Sequence, residues 1–287
     1  MKIHQISEDE LDYVCAVCLD PSVGKKTREM MEGGMNDRLC WIKNQMKNGL
    51  EILIVVEKPR KEKIRYKWAG LITHAELAVH GLVPKGLLEF LPIEYALEPI
   101  EGESMLFINC IWILPPFWNS GVAKSLIESF VERAKEYGGA SVLAYEGDRW
   151  FGTTIKYMPF RFFEKFGFKE IATDGTRKLL YLDLGANDPP TLVLPETKPV
   201  ENSNRTQLDI FFNSQCPWNR YMIEEVKQNI QRYPEICVNL VNTDDREKIL
   251  EYGVSRGIFL NGEPVIKRMA EWNEIKSEID KIKLAKK

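Results

Sequence analysis

Apolar and polar residues alternate along the first 185 residues in stretches that predict strands and helices in turn. Strands are predicted where β-branched and other apolar residues cluster, at 51–57, 67–77, 105–114, 141–146 and 179–184. Helices are predicted where apolar residues recur with the helical period, at 11–18, 36–47, 122–137 and 162–165. Pro84, Pro92 and Pro99 predict an irregular stretch between the second and third strands. This mixture of the two periods indicates an α/β fold.

The segment after the strand at 105–114 has the clearest pattern of a binding site. Pro115 and Pro116 end the strand, a short turn that contains Gly121 follows, and a helix begins near Val122. Such a turn directs several backbone N–H groups at one point, at the positive end of the helix dipole. The sequence therefore predicts an anion site here, and the alternative is a glycine that serves packing alone.

A proline-rich segment divides the chain. Residues 185–205 contain four of the 15 prolines, and proline lacks the amide donor that helices and central strands require. We predict a linker at 186–205, between a larger N-terminal unit at 1–185 and a smaller C-terminal unit at 206–287. Both lengths lie within the usual range for domains.

The C-terminal unit has the predicted element order βαβαββα, which resembles thioredoxin. Residues 214–219 fall at the Cys-x-x-Cys site of that fold, and Cys216 is the candidate reactive thiol because a helix N-terminus stabilises a thiolate. Asn219 stands in the place of the second cysteine. Cys216 is therefore either a monothiol redox group or a remnant in a domain that serves binding or homodimer formation.

Composition and charge exclude several classes of protein. The net charge of −3 argues against nucleic acid or an anionic membrane surface as the main partner. No apolar stretch reaches the roughly 20 residues that a bilayer span needs, and the N-terminus lacks the apolar core of a signal peptide. A cytoplasmic location is expected, with the six cysteines reduced and no metal site of the zinc type.

Two motifs in the N-terminal unit resemble the GNAT superfamily of N-acetyltransferases. The family's acetyl-CoA loop, Gln/Arg-x-x-Gly-x-Gly/Ala, is similar to WNSGVA at 118–123. The family's Tyr-Glu-Lys-x-Gly-Phe signature is similar to FEKFGF at 163–168. The run FINCIWI at 107–113 resembles the subgroup that carries a C-terminal YoaP-type domain.

This resemblance implies a GNAT fold, a mixed and mostly antiparallel sheet flanked by helices, followed by the small thioredoxin-like domain. In the GNAT fold a β-bulge parts the fourth strand from the fifth, and acetyl-CoA lies in the opening. The implied cofactor contacts are strand backbone at Ile111, Trp112 and Ile113, and a pyrophosphate cradle at Asn119, Ser120, Gly121, Val122, Ala123 and Lys124. Asn109 and Cys110 point to opposite faces of the strand, so one of them is expected to face the cleft.

The catalytic side chains depart from the family pattern. Phe163 stands where many members have the tyrosine that protonates the departing CoA thiolate, and a phenyl ring donates no proton. Tyr157 is the candidate substitute, with packing as its alternative role. Glu146 lies where several members place a general base, and its alternative is a solvated carboxylate at a strand end. Cys15 and Cys18 also have Cys-x-x-Cys spacing, on an apolar helix face that favours a core role.

These observations favour an acetyl-CoA-dependent N-acetyltransferase that passes acetyl directly to an acceptor amine. Two other classes stay open: a redox or thiol-sensing protein that acts through Cys216, and a non-catalytic acyl-CoA-binding module.

Overall fold

The computed structural model describes residues 2–19, 21, 23–66, 69–147, 157–185, 188–198 and 205–285. The strands are β1 (Lys2–Gln5), β2 (Glu51–Glu57), β3 (Lys63–Tyr66), β4 (Gly70–Thr73), β5 (Val83–Pro92), β6 (Ile100–Glu101), β7 (Leu106–Ile113), β8 (Gly139–Tyr145), β9 (Lys169–Asp174), β10 (Arg177–Asp183), β11 (Thr191–Leu192), β12 (Thr206–Phe212), β13 (Ile236–Asn242), β14 (Gly257–Leu260) and β15 (Glu263–Ile266). The α-helices are α1 (Asp12–Cys18), α2 (Lys25–Met46), α3 (His74–Leu77), α4 (Val122–Ala134), α5 (Phe160–Glu164), α6 (Trp218–Ile230), α7 (Arg246–Tyr252) and α8 (Trp272–Ala285). Within these ranges no helix is both long enough and apolar enough to cross a bilayer.

A seven-stranded sheet forms the centre of the N-terminal unit, in the order β1-β2-β5-β7-β8-β10-β9. Its pairs are antiparallel, apart from the parallel pair β7 and β8. Helix α4 packs on this sheet through a stripe of buried residues that includes Leu126, Ile127 and Phe130. The predicted mixed, mostly antiparallel sheet with flanking helices is confirmed.

The prediction of an irregular stretch around Pro84 and Pro92 was wrong. These residues lie in β5, a ten-residue strand that pairs with β2 on one side and β7 on the other. Pro84 sits opposite Val56, where the register of β2 and β5 shifts, and Pro92 is the last residue of the strand. Bulges and strand ends are the places where a sheet tolerates the missing N–H of proline.

Two other boundaries differ from the predictions. The strand predicted near 67–77 is instead the hairpin β3–β4 followed by the one-turn helix α3, which begins at a capping box of Thr73 and Glu76. Strand β9 was not predicted. It pairs with β10 across a turn at Gly175, and its exposed polar residues weaken the apolar pattern by which a strand is recognised.

Helix α2 begins 11 residues before the predicted start at Asn36, and it continues through Gly33 and Gly34. Glycine weakens a helix by about 1 kcal/mol relative to alanine, so the pair argues locally against a helix. Gly34 has a packing role: a Cβ there would lie 2.7 Å from the Cβ of Arg220 and 2.9 Å from the carbonyl oxygen of Pro217. The close approach of α2 and α6 therefore requires glycine at this position.

The C-terminal unit has a four-stranded sheet in the order β13-β12-β14-β15. Strands β12 and β13 are parallel, whereas β14 and β15 are antiparallel to their neighbours. Helices α6 and α8 supply Met222, Ile223, Val226, Ile275 and Ile279 to its core. The element order βαβαββα agrees with the one that the sequence predicts.

The described part of the proline-rich segment packs against both units. Strand β11 pairs with β6, and the amide of Lys198 donates to the carbonyl of Gly262 at 3.0 Å. Residues 186–187 and 199–204 of the predicted linker lie outside the described residues.

A buried ion pair joins the two units. Arg256, which precedes β14, lies 2.7 Å from the Glu98 carboxylate of the N-terminal unit, and Ser255 donates to the other carboxylate oxygen at 2.6 Å. The side chains of Arg256 and Glu98 are 2% and 8% exposed. A second contact lies on either side of Glu98, where the Arg246 guanidinium donates to the carbonyls of Ala96 and Ile100.

We predict that Glu98→Gln lowers the free energy of unfolding by about 3 kcal/mol, because it leaves the Arg256 charge buried without a counter-ion. The matched control is Glu29→Gln, which removes an ion pair whose side chains are 92% and 63% exposed and costs less than about 0.5 kcal/mol. Urea titration of the full chain measures both. Equal destabilisation by the two variants would contradict the structural role of Glu98.

Candidate functional site

Strands β7 and β8 part in the middle of the seven-stranded sheet. They pair in parallel from Leu106 to Ile108, against Ala140 to Val142, and beyond this point the described residues of the two strands form no further pairs. The parting begins at a β-bulge in β7. Ile108 pairs with Phe90 and Cys110 pairs with Glu89, so Asn109 is the extra residue. A bulge bends its strand and increases the local twist, which opens a cleft at this point.

The bulge also changes the expected directions of Asn109 and Cys110. Asn109 Nδ2 donates to Glu89 Oε1 at 2.7 Å, and Cys110 is the residue paired with Glu89 across β5 and β7, so its side chain lies on the same face as that of Glu89. Both side chains therefore lie near Glu89, and the expectation that they face opposite sides of the sheet was wrong. A bulge interrupts the period-2 alternation on which that expectation depended.

Backbone groups of β7 face the cleft at alternate residues. The amide of Leu114 donates to Lys85 on the β5 side, which places the backbone groups of Ile111 and Ile113 on the side of β8. The indole Nε1 of Trp118 donates to the carbonyl of Ile113 at 2.8 Å. Trp118 thus covers the outer end of the strand, and the backbone of Ile111 lines the cleft between this end and the bulge.

The turn that follows β7 holds two residues in the left-handed region. Asn119 has φ 59° and Gly121, the N-cap residue of α4, has φ 83°. Asparagine and glycine are the residues that adopt this conformation at least cost. Successive amides in such a turn form an anion-binding concavity, which the free N–H groups of the first turn of α4 extend. A Cβ at Gly121 would meet nothing within 4 Å, so the space above the turn is open.

A pocket of about 840 Å³ joins this turn to the cleft. Its lining residues are Ile111, Trp112, Ile113, Phe117, Trp118, Asn119, Gly121, Val122, Ala123, Lys124, Tyr157, Met158, Pro159, Phe162, Lys165 and Phe166. The structure thus brings together every predicted cofactor-binding residue except Ser120, whose hydroxyl donates to the carbonyl of Phe117. Among these described lining residues the charged ones are Lys124 and Lys165, so the pocket is apolar along its length with cationic groups and no carboxylate.

Tyr157 is one of the lining residues of this pocket. Its ring centroid is 5.1 Å from that of Tyr145, and the backbone beside it is held by a 2.9 Å hydrogen bond from the Tyr145 amide to the Met158 carbonyl. Burial raises the pKa of Tyr157 well above its usual value, while the positive charge of Arg256 acts in the opposite direction. The phenol is therefore neutral at physiological pH.

Two other candidates lie outside the pocket. Phe163 is fully buried and packs edge-on against Phe162 and Phe168, with ring centroids 5.1 and 5.9 Å away. The Glu146 side chain is 52% exposed and pairs with Lys178 at 3.3 Å. The structure thus places Glu146 on the surface at the end of β8 and does not bring it to the pocket lining. Residues 148–156 lie outside the described residues.

Cys216 lies close to the cleft, in surroundings that keep its thiol protonated. Burial raises the pKa of Cys216, and the nearby charges of Arg256 and Arg38 lower it in part. The net direction is opposite to the one expected from a helix N-terminus. Cys18 and Cys110 share this environment: burial raises the pKa of Cys18 to about 11 and that of Cys110 well above its usual value.

A buried polar network at the bulge was missed by the sequence reasoning. Arg38 Nη2 lies 2.7 Å from Glu89 Oε2, and the Arg38 and Glu89 side chains are 3% and 0% exposed. The network continues to Gln215 and Arg256 of the C-terminal unit. One signal was available in the sequence, because Glu89 interrupts the apolar run Leu87-Leu88-Glu89-Phe90-Leu91. A charge within such a run is buried only when it is paired.

Comparisons with known proteins agree in the class of protein that they find. No protein-family model matches the chain. The uncharacterized N-acetyltransferase YoaP of Bacillus subtilis (strain 168) is 22% identical over 200 residues, which are 69% of this chain and 67% of YoaP.

Two solved structures represent the structural matches. One is PaiA N-acetyltransferase from Thermoplasma acidophilum in complex with coenzyme A, with TM-score 0.38, 16% identity, and 64% of this chain and 99% of that chain covered. The other is a GNAT family acetyltransferase from Brucella melitensis in complex with acetyl-CoA, with TM-score 0.34, 13% identity, and 66% and 92% covered. Over about two thirds of its length, the chain is similar to N-acetyltransferases.

Proposed function

We propose that this protein is an acetyl-CoA-dependent N-acetyltransferase of the GNAT type, which transfers acetyl directly to an amine. The observation that carries the proposal is one continuous pocket that joins the parted strands β7 and β8 to the left-handed turn before α4. Its cationic end and apolar body match a ligand with phosphates at one end and a thioester at the other. The similarity to YoaP supports the same activity.

In this proposal the amides from Asn119 to Lys124 bind the pyrophosphate of acetyl-CoA, with the ammonium groups of Lys124 and Lys165 nearby. The pantetheine arm lies along β7 and pairs with the backbone of Ile111. The carbonyl of Ile113 already accepts a hydrogen bond from the indole N–H of Trp118. The arm therefore contacts the indole ring at this end of β7. The thioester then reaches the bulge at Asn109, where the strands begin to part.

The transfer step requires an attacking amine and a proton for the leaving group. The amine nitrogen attacks the thioester carbonyl carbon, a C–N bond forms and the C–S bond breaks. Tyr157 donates its phenolic proton to the departing thiolate, the proton that leaves the amine passes to water, and water returns a proton to the Tyr157 phenolate. The phenol holds its proton before the C–S bond breaks, because burial raises its pKa.

For the C-terminal unit we propose a thioredoxin-like fold, with boundaries at 1–185, 186–205 and 206–287. The strand order β13-β12-β14-β15, with β12 parallel to β13 alone, supports that assignment. All six cysteines are free thiols, which supports a cytoplasmic location. Homodimer formation stays a prediction of the sequence.

A redox function through Cys216 has less support than acetyl transfer. Thiol exchange proceeds through the thiolate, and burial raises the pKa of Cys216. The non-catalytic alternative is distinguished by turnover, since a binding module would retain acetyl-CoA without consuming it.

We predict that Gly121→Glu raises the dissociation constant for acetyl-CoA at least 100-fold, because it places a carboxylate where the phosphates bind and strains a left-handed residue. Gly175→Glu is the matched control, since Gly175 is also left-handed, with φ 62° and open space at its Cβ position, but lies in the β9–β10 turn. Titration calorimetry measures both variants. Unchanged affinity in Gly121→Glu would overturn the placement of the pyrophosphate.

A second prediction concerns the proton donor. Tyr157→Phe lowers kcat by a factor of about 100 and leaves the KM for acetyl-CoA within a factor of two, because the ring still lines the pocket. Because burial raises the pKa of Tyr157, the phenol stays protonated and the loss in kcat is constant from pH 6 to 9. Tyr95→Phe, at a 46% exposed tyrosine, is the control. Equal kcat values for the two variants would exclude Tyr157 as the acid.

A further inference from the structure

The loop Ser214–Pro217 of the C-terminal unit docks at the point where β7 and β8 part. Gln215 Nε2 donates to the carbonyl of Asn109, the bulge residue, at 3.0 Å. The Gln215 backbone carbonyl accepts from Arg38 Nη1, and its Oε1 accepts from Arg256 Nη2 at 2.5 Å. The residue is 2% exposed. Gln215 thus uses three polar groups, two on its side chain and one on its backbone, to bind the bulge residue Asn109 and the two arginines Arg38 and Arg256.

Each buried arginine beside this loop has its own carboxylate partner. Arg38 is paired with Glu89, whose second oxygen accepts from Asn109 Nδ2, and Arg256 is paired with Glu98. A further carboxylate, Asp244, accepts from the amide and the hydroxyl of Ser214 at 2.6 and 2.7 Å. Burial that keeps the neighbouring thiols neutral also disfavours a buried ammonium, so an amine that enters here is held in its neutral, nucleophilic form.

Three buried polar atoms of the network have no hydrogen-bond partner among the described residues. They are Asn109 Oδ1, Arg38 Nε and Arg256 Nε, and the three residues are 5%, 2% and 2% exposed. Buried polar atoms without a hydrogen-bond partner are rare in folded proteins, so each one needs an explanation. Asn109 Oδ1 is an acceptor at the bulge, where an amine N–H can serve as its donor.

We propose that the C-terminal unit completes the transfer site: the loop Ser214–Pro217 forms the wall on the acceptor side, and Asn109 Oδ1 accepts a hydrogen bond from the attacking amine. Gln215 is the positioning residue, because it fixes the carbonyl of Asn109 and the two arginines that flank the loop. This inference rests on the proposed function and assigns the amine side of the same site. The acceptor class is an amine that is neutral when bound.

Thiol labelling tests the position of the loop without any acceptor. Cys216 follows Gln215, whereas Cys40 and Cys237 are exposed elsewhere and serve as internal controls. The full chain is alkylated with iodoacetamide, with and without saturating acetyl-CoA, and the three labelling rates are followed by peptide mass spectrometry. We expect acetyl-CoA to slow labelling of Cys216 at least fivefold while the rates at Cys40 and Cys237 change by less than twofold.

Calorimetry on the same samples separates the two levels of the proposal. If acetyl-CoA binds but labelling of Cys216 is unchanged, the loop does not face the transfer site and the inference is overturned. If no binding is detected, the proposed function fails and the inference fails with it.

Kinetics test the role of Gln215. Gln215→Met keeps the side-chain volume and removes the hydrogen bonds to Asn109 and Arg256. Its matched control is Lys267→Ala, which breaks an ion pair between the same two units at Asp174. Rates of CoA release from acetyl-CoA are measured with spermidine, ethanolamine and glycinamide as probe amines, and the best of these is used for KM.

For Gln215→Met we expect the KM for the amine to rise at least 10-fold and kcat to fall roughly 10- to 100-fold, with unchanged affinity for acetyl-CoA. Lys267→Ala is expected to keep both constants within twofold, because Asp174 lies at the end of the edge strand β9, away from the bulge in β7. Equal effects of the two variants would mean that Gln215 only holds the two units together and does not position the transfer site. If the wild-type protein binds acetyl-CoA but acetylates none of the probe amines, the proposed function is refuted. The effect of acetyl-CoA on the labelling rate of Cys216 then still shows whether the loop faces the bound ligand.

Discussion

The gap between β7 and β8 is the constraint on which the rest of the structure depends. A sheet that parts in its middle leaves two strand edges inside the molecule, and buried backbone groups need hydrogen-bond partners. Here the partners come from different parts of the chain: Gln215 at the bulge, Trp118 at the outer end of β7, and Met158 beside β8. The length of β7 between the first two has no strand partner on the side of β8 among the described residues, and an extended ligand with its own amides, as proposed for acetyl-CoA, would pair there.

The same constraint explains why the two units form one buried network. The bulge brings Asn109 to Glu89, and the charge of Glu89 requires Arg38 as its counter-ion. Arg38 in turn donates to the backbone of Gln215, which belongs to the second unit. The loop Ser214–Pro217, which the sequence analysis compares with the Cys-x-x-Cys site of thioredoxin, is buried against the N-terminal unit. Cys216 is therefore part of a packed interior, where burial raises the pKa of its thiol.

Local patterns predicted the elements that surround the pocket, because strand, turn and helix at 105–137 each follow from their own residues. Local patterns gave wrong predictions where a residue that is distant in sequence but close in space determines the structure. Pro84 and Pro92 lie in a central strand because a register shift and a strand end tolerate them. Gly34 lies inside α2 because α6 approaches there. Local patterns could not predict the role of Gln215, because its hydrogen-bond partners Asn109 and Arg38 are 106 and 177 residues away in the sequence.

Hydrogen exchange with mass spectrometry on the full chain is the most direct measurement of whether acetyl-CoA occupies the gap. Backbone amides that pair with a ligand exchange more slowly, and this change is localised to the peptides that bind it. If acetyl-CoA lies between β7 and β8, its addition slows exchange at 109–124 and leaves the β3–β4 hairpin and β13 unchanged. Exchange that slows elsewhere while 109–124 stays unchanged would contradict binding in the gap.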